Sequence, residues 1–574
     1  MRRSTVPVAA AATALALLFT GCSFSGGGGS STNKNGKPVR KITIEYAAFP
    51  TVDPQRLTFG SWLANQGLLE GLVLKSPQGN GVQPGAADKW TESTDGKVYT
   101  FHLRSDAKWS DGTPVTADDF LFSYQRLLSP PAKSGVEGAS DYPVDLGITG
   151  ATDFLSGKLT DFSKVGIKAT DKQTLQISLD APNTDFLAAM ADPWMLPLPA
   201  HTLKAHPKNW QSAKYWVGNG PYIISSWTPN VSMTLTPNKH YWDPSQVKLD
   251  RVVVRMTTDD TKAALHYQNK EVDVAPVDPP DLPRFQKDST LSKSLQSIPA
   301  FYLTYLATMQ SQNPALEDVR VRKALSLGMD RADVAKACAG CRAADTLVPG
   351  IVPDAGANVA TPEDLAQAKQ LLTQAGYPGG KGLTVNMLLG GNATPPLQAI
   401  AANWEHNLGI KVKIDVQEVG VYATKRAALA PKNYVGVWSS ATSGGPSWRF
   451  WAAGSWGPTV IGAASIPGKD FGAYAKMTLN GPTAASSAYL ASHESAAAKQ
   501  YAALVAQANS TVDAAAAQKL YIQAARVRAD MYYILPAFFT DNYYAIRTNI
   551  TGVHLLNGYY FPFYLRGVGV TGSK

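Results

Sequence analysis

The chain has 574 residues with 44% hydrophobic and 17% charged content, as expected of a soluble globular protein large enough for several cores. Its 53 Lys and Arg outnumber 44 Asp and Glu to give a formal charge of +9. The basic residues are scattered among acids, however, and tracking a phosphate backbone needs a concentrated basic stripe, so the composition argues against a nucleic-acid partner.

The first 21 residues read as a leader. Arg2 and Arg3 form a charged start, Val6 to Phe19 an apolar run, and Thr20-Gly21 a small-residue site before Cys22. Small residues directly before a Cys are the pattern of a bacterial lipoprotein signal, in which the new N-terminal Cys is acylated, although Phe19 stands where Leu is usual. The run is short for a bilayer anchor. Residues 1–21 are thus expected to be a lipoprotein signal peptide and Cys22 the lipidation site. Residues 22–38, dominated by the Gly/Ser-rich stretch Ser23–Lys37, are expected to be a flexible tether.

From Lys41 onward strands and helices alternate. Ile42–Tyr46 reads as a strand and Trp62–Glu70 as a helix. Tyr99–Leu103 is a strand rich in β-prone residues, followed by a tight turn at Ser110-Asp111-Gly112-Thr113-Pro114. Thr116 is a good N-cap, Asp118 and Asp119 fall in the first turn, and Phe120, Tyr124 and Leu127 share one face of the helix Phe120–Leu128. Thr174–Leu179, Val231–Leu235 and Arg251–Met256 alternate as half-buried strands. Helices are expected at Val319–Gly328, Pro362–Ala375, Leu397–Leu408 and Ala514–Met531, and in the later half of the Ala/Ser-rich segment Ala484–Asn509. No internal repeat is visible, and no later run is apolar enough to span a bilayer. Mixed elements over this length predict α/β lobes with one domain inserted in another.

Catalytic constellations are missing from the text. There is no H-E-x-x-H, no G-x-S-x-G and no Walker loop. Ser105-Asp-Ala-Lys108 fits S-x-x-K but has neither K-T-G nor S-D-N with it, and the eight His residues are dispersed. Neither an enzyme nor a cofactor is expected. The pair Cys338 and Cys341 is a C-x-x-C, compatible with a redox pair, half a zinc site or a local disulfide. Zinc would need two further ligands, and no second Cys pair or nearby His pair supplies them. An exported location favours the disulfide, with free thiols or metal and redox chemistry as the alternatives. Trp438, Trp448, Trp451 and Trp456 place four of the chain's 13 Trp in one Gly/Pro-rich stretch, either as core packing or as stacking platforms for ligand groups.

Six segments in order carry a family likeness. The stretch Tyr99–Arg126, YTFHLRSDAKWSDGTPVTADDFLFSYQR, closely resembles the signature of extracytoplasmic solute-binding protein family 5, the oligopeptide/dipeptide-binding proteins of ABC transporters. Glu70-Gly71-Leu72, Gly218–Tyr222, Leu235–Trp242 and Ala368–Tyr377 resemble further family segments, and Asp318–Arg331 resembles the oligopeptide-binding subgroup nearly word for word. The resemblance implies an α/β, two-lobed periplasmic-binding-protein fold (class II, cluster C type) with a hinge and an extra subdomain. Residues 39–69, 197–302 and 541–574 would build lobe I, 70–196 its extra subdomain, and 303–540 lobe II. The implied function is capture of oligopeptides between closing lobes and delivery to ABC permease subunits, by a lipid-anchored extracytoplasmic monomer. Alternatives are the same fold binding a non-peptide solute such as an oligosaccharide, or a peptide-sensing receptor without transport.

The resemblance also implies site residues. Thr58-Phe59-Gly60 corresponds to a strand-forming stretch whose backbone pairs with ligand. Arg426, twelve residues before Trp438, matches an Arg that pairs with a peptide carboxylate. Trp438 matches the Trp before the ligand-facing loop, where Ser440 and Ala441 follow, and Ala441 stands where an Asp would hold the peptide ammonium. A buried ammonium without a carboxylate is costly, so recognition of a free amino terminus is in question. Tyr142, Tyr302, Tyr305 and Trp448 are further candidate cleft aromatics.

Overall fold

Strands from both halves of the chain collect into one long sheet, and two of them decide how the molecule is divided. The computed structural model describes residues 39–56, 59–76, 81–129, 142–257, 262–308, 313–350, 352, 354, 359–390, 395–418, 421–422, 436–443, 447–454, 457–478, 484–556 and 563–572. β1 (Lys41–Ala47) opens the main sheet. The hairpin β2 (Val73–Lys75) and β3 (Val82–Pro84) follows, then a separate antiparallel sheet of β4 (Ala87–Glu92), β5 (Val98–Leu103), β6 (Ile167–Asp171) and β7 (Thr174–Ser178), in the order β4-β5-β7-β6. β8 (Tyr222–Thr228), β9 (Ser232–Pro237), β10 (Arg251–Thr257) and β11 (Val274–Pro276) return to β1. The long strands β12 (Leu295–Ala307) and β17 (Ile534–Ile546) then carry the sheet onward to β13 (Cys341–Ala343), β14 (Thr384–Gly390), β15 (Lys411–Gln417) and β16 (Gly436–Ser443). Its order is β15-β14-β16-β12-β17-β11-β1-β10-β9-β8, with β13 on β17, and a separate antiparallel pair is formed by β18 (Ile550–Thr551) and β19 (Gly569–Val570).

Burial follows sequence pattern. β1 is buried at Ile42, Ile44 and Tyr46 and lies parallel to β10, whose Val252, Val254 and Met256 are also buried. Around the turn at Gly112 (φ +91°), Asp111 accepts from the Thr113 backbone at 2.9 Å and its hydroxyl at 2.7 Å. Asp119 accepts from Thr116 N at 2.9 Å and from the indole of fully buried Trp109 at 3.2 Å. That ties the start of the helix Ala117–Leu128 to the preceding turn, and Phe120, Tyr124 and Leu127 are fully buried on one face of the helix. The segment Trp62–Glu70 departs from the single helix expected, with an α-helix at Phe59–Leu63 that widens into a π-turn over Ala64–Leu68.

Hydrophobic residues sort into two bodies on either side of Pro299–Phe301. One body draws on Ile42 through Ile298 and on Tyr543 through Val568, whereas the other draws on Leu303 through Phe539. β12 and β17 belong to both. Their ladder pairs Ile298 with Asn542 and then Tyr302 with Thr540, so residues 299–301 stand opposite Asp541 alone. Pro299 lacks an N–H, and a bulge bends and twists the strand that carries it, so the regular ladder is interrupted where the chain crosses between the bodies.

Candidate functional site

The end of β16 nearest the crossing has an incomplete ladder. β16 pairs with β12 from Trp438 opposite Ala307 through Ser443 opposite Tyr302, with Ser440 facing Tyr305 and Ala441 facing Thr304. Its ladder with β14 covers only Gly436 to Trp438, so among the described residues the side of Ser439–Ser443 away from β12 has no sheet partner. Tyr422 caps the start of that open edge, its hydroxyl donating to the Ser439 carbonyl. Tyr302, 43% exposed, closes the other end beside the crossing.

Directly after this edge the second body touches the first. Ser447 caps the helix Trp448–Ala453, accepting from Phe450 N at 3.1 Å, while its hydroxyl donates to Asp185 Oδ2 of the first body. Arg449 lies behind it, donating to Asn509 at 2.9 Å and to the Tyr521 hydroxyl at 3.2 Å. Burial raises the Asp185 carboxyl above the ordinary aspartate value, opposed by the Ser447 hydroxyl and the positive fields of Arg449 and Lys75. The bodies meet again near Gly96, where a Cβ would lie 3.4 Å from Val512 Cγ1.

The sign of the Asp185 shift fixes a pH dependence. A carboxyl with a raised folded value stabilises the folded form fully below its unfolded value, and that stability is lost as pH rises through the folded value. Asp185→Asn, neutral throughout, is therefore expected to gain melting temperature relative to wild type as pH climbs above about 4, the ordinary aspartate value. Thermal scans of both proteins across that window check this, and a difference independent of pH counts against a buried carboxyl.

On the same face of the first body, Asp192 accepts from Tyr142 Oη at 2.5 Å and pairs with Lys75 Nζ at 3.1 Å. The Tyr142 ring lies 4.6 Å from that of Trp194, which in turn meets Trp62 at 5.9 Å. Tyr142 is therefore half-buried in an aromatic and ionic cluster, with part of its surface still accessible.

Several candidates stand elsewhere than expected. Tyr305 is 2% exposed and Trp448 4%, both inside the core of the second body, so neither ring is offered to a cleft. Trp451, at 2%, is core as well, so of the two roles open to this Trp-rich stretch these two indoles take core packing. Phe59 and Gly60 are helical instead of extended, and Gly60 sits so close to Thr51 that a Cβ would fall 1.8 Å from its carbonyl oxygen. A backbone so enclosed has no free edge for a ligand strand. Thr58, Arg426, Trp456 and Cys22 lie outside the described residues. Cys338 and Cys341 are joined by a disulfide with their Cα atoms 5.5 Å apart. Asp185, Ser447 and Arg449 were not anticipated; Ser447 before W-R-F-W has an N-cap signature, but its partner is 262 residues away.

Comparison with known proteins places this geometry in context. Residues 81–458 match the model for "Bacterial extracellular solute-binding proteins, family 5 Middle". The periplasmic oligopeptide-binding protein OppA of Escherichia coli K12 is 33% identical over 365 residues, 61% of this chain, and the match spans only 65% of OppA's length. The probable deoxycholate-binding periplasmic protein YgiS of the same organism is 33% identical over 390 residues, 66% of this chain and 71% of YgiS. Among solved structures, the unliganded open form of the periplasmic murein tripeptide-binding protein MppA superposes with a TM-score of 0.73 at 25% identity, covering 93% of this chain and 97% of that one.

Proposed function

Because the chain belongs to family 5 of the bacterial extracellular solute-binding proteins, with that family's two-lobed fold, we propose that it is the peptide-binding component of an ABC importer. The lobes are assigned as residues 39–69 with 197–302 and 541–574, and 303–540, with 70–196 as the extra subdomain. Cys22 carries the lipid that holds the protein at the outer face of the membrane, and permease subunits receive the ligand there. No catalytic step is assigned; OppA, YgiS and MppA are all named as binding proteins.

The observation that carries this reading is the edge at Ser439–Ser443, open among the described residues, between the crossing strands and the Asp185–Ser447 contact. An extended peptide adds to such an edge through main-chain hydrogen bonds, which every peptide offers regardless of sequence. Side chains then occupy hydrated space, where bridging water costs little. A ligand that contacts both bodies favours the closed arrangement by its differential affinity for it, and the β12–β17 crossing is where that rotation is accommodated. Arg426 is assigned to the peptide carboxylate.

A second reading is favoured by one observation, that YgiS, named for deoxycholate, is as similar to this chain as OppA is. The same fold would then take an apolar non-peptide solute, consistent with Ala441 in place of a carboxylate. Native mass spectrometry of the purified protein separates the two. Co-purifying peptides, released on denaturation, are the expected result. If peptides are absent, and bile acids but no peptide library raise the melting temperature, the peptide assignment fails.

A further inference from the structure

We infer that the Cys338–Cys341 disulfide is a redox-sensitive brace on the crossing of β17 between the two bodies, limiting how widely they move on one another. At Asp541 the β12 ladder releases β17, and the segment 340–343 holds it from the opposite edge. Asp541 N donates to the Gly340 carbonyl at 3.2 Å, and β13 continues the contact with Cys341 opposite Thr540, Arg342 opposite Phe539 and Ala343 opposite Phe538. Arg342 adds a two-pronged ion pair, its Nε and Nη2 donating to the two Asp541 oxygens at 2.8 Å each. Asp541, at the register shift between β12 and β17, is thus contacted by both backbone and side chain of the disulfide-bearing segment.

That segment also bridges the bodies. It is rooted in the second body through the helix Arg331–Lys336, with Cys338 N donating to the Ala335 carbonyl at 3.2 Å and Cys341 N to the Cys338 carbonyl at 3.3 Å. Its tip, Gly340 at φ +79°, lies against the first body, where a Cβ would come within 2.7 Å of Tyr543 Cε2 and 3.3 Å of Leu282 Cδ2. The four-residue ring closed by the disulfide holds the Gly340 carbonyl where Asp541 needs it. Both cysteines are half-buried, within reach of a small thiol.

Exchange with an extracytoplasmic dithiol balances simply. The Cys338–Cys341 S–S bond breaks, both become thiols, and the donor's two sulfurs join, so two electrons and two protons pass to this protein. The loop regains conformational freedom, the hold on Asp541 loosens, and the bodies sample a wider range of separations. The consequence for capture rests on the binding-protein reading above, but the motion itself can be measured without ligand.

Bio-orthogonal spin labels at the exposed positions Lys89 and Lys413, one in each body, report that range by dipolar distance measurement on unliganded protein. Reduction with a water-soluble phosphine is expected to broaden the distance distribution roughly twofold relative to the oxidised protein. Cys338→Ser with Cys341→Ser should reproduce the broad distribution without reductant. Gly340→Ala, with its disulfide intact, should shift the mean separation because its new methyl collides with Tyr543. If oxidised and reduced wild-type distributions superimpose, the brace does not exist, even where exchange of the Asp541 amide quickens locally. That comparison stands whether or not the double Ser variant folds.

Discussion

Arg331→Met is expected to lower the stability of the second body by about 3–5 kcal/mol, seen as a fall of roughly 10 °C in its thermal transition. Arg331 is fully buried, and its guanidinium donates to the Pro536 carbonyl at 3.0 Å, the Ser326 carbonyl at 3.0 Å and the Ser326 hydroxyl at 2.9 Å. Its ion-pair partner Glu363, 3.4 Å away, is 44% exposed, so burial rather than pairing dominates and depresses the guanidinium's pKa. Met keeps most of the volume, so the loss registers acceptors left without their charged donor. Arg322, earlier in the same segment, holds the Met531 carbonyl through Nε at 3.0 Å and Nη2 at 2.8 Å. Together the two arginines fasten the helices Val319–Leu327 and Arg331–Lys336 to Met531, just before β17, and to Pro536 within it, the strand that crosses between the bodies. A two-body protein need not melt in one step, so the transition is best followed by hydrogen exchange on β14 and the helix Val319–Leu327. A change below about 1 kcal/mol would show that water or main-chain donors replace the guanidinium.

The segment Asp318–Arg331 illustrates what the sequence makes legible. Its apolar spacing announces a helix, and its wording announces a family, but neither reveals that two of its arginines are buried donors to distant carbonyls, Arg322 to Met531 just before β17 and Arg331 to Pro536 within it. Local chemistry was readable wherever partners are near in sequence, as with Gly112, Thr116 and Asp119 around the Ala117–Leu128 helix. Two of the aromatic candidates, Tyr305 and Trp448, are buried for the converse reason. Tyr305 and Trp448 look alike in a list of indoles and phenols, and only the packing of Val505, Tyr521 and Phe539 around them decides that they are core. Phe59 and Gly60 are helical where extended backbone is expected, and the close approach of Gly60 to Thr51 is a tertiary contact that no local pattern announces. Asp185 meeting Ser447 is likewise a product of topology, since nothing in either neighbourhood names the other.

Ala441→Asp is expected to strengthen binding of peptides with a free amino terminus by about tenfold or more, while leaving N-acetylated versions of the same peptides unchanged. The backbone of residue 441 is fixed in the β16–β12 ladder opposite Thr304, on the stretch whose other side has no strand among the described residues. A carboxylate introduced there would meet the ammonium of a peptide laid along that edge, and a charge-assisted hydrogen bond in a partly dehydrated cleft contributes about 1.5–3 kcal/mol. The acetylated peptide removes the ammonium but keeps every main-chain donor and acceptor beyond it, so the contrast isolates that single contact. Salt separates the alternatives further, because a solvent-exposed pair would fade with ionic strength whereas a pair enclosed by both bodies would persist. Calorimetric titration of wild type and variant with both peptides gives the answer. Equal affinities for free and blocked peptides in the variant would mean that the amino end is held away from residue 441. An improved affinity for the free peptide would place the peptide's first residue at this edge and make the missing carboxylate the reason for a tolerant amino-terminal subsite.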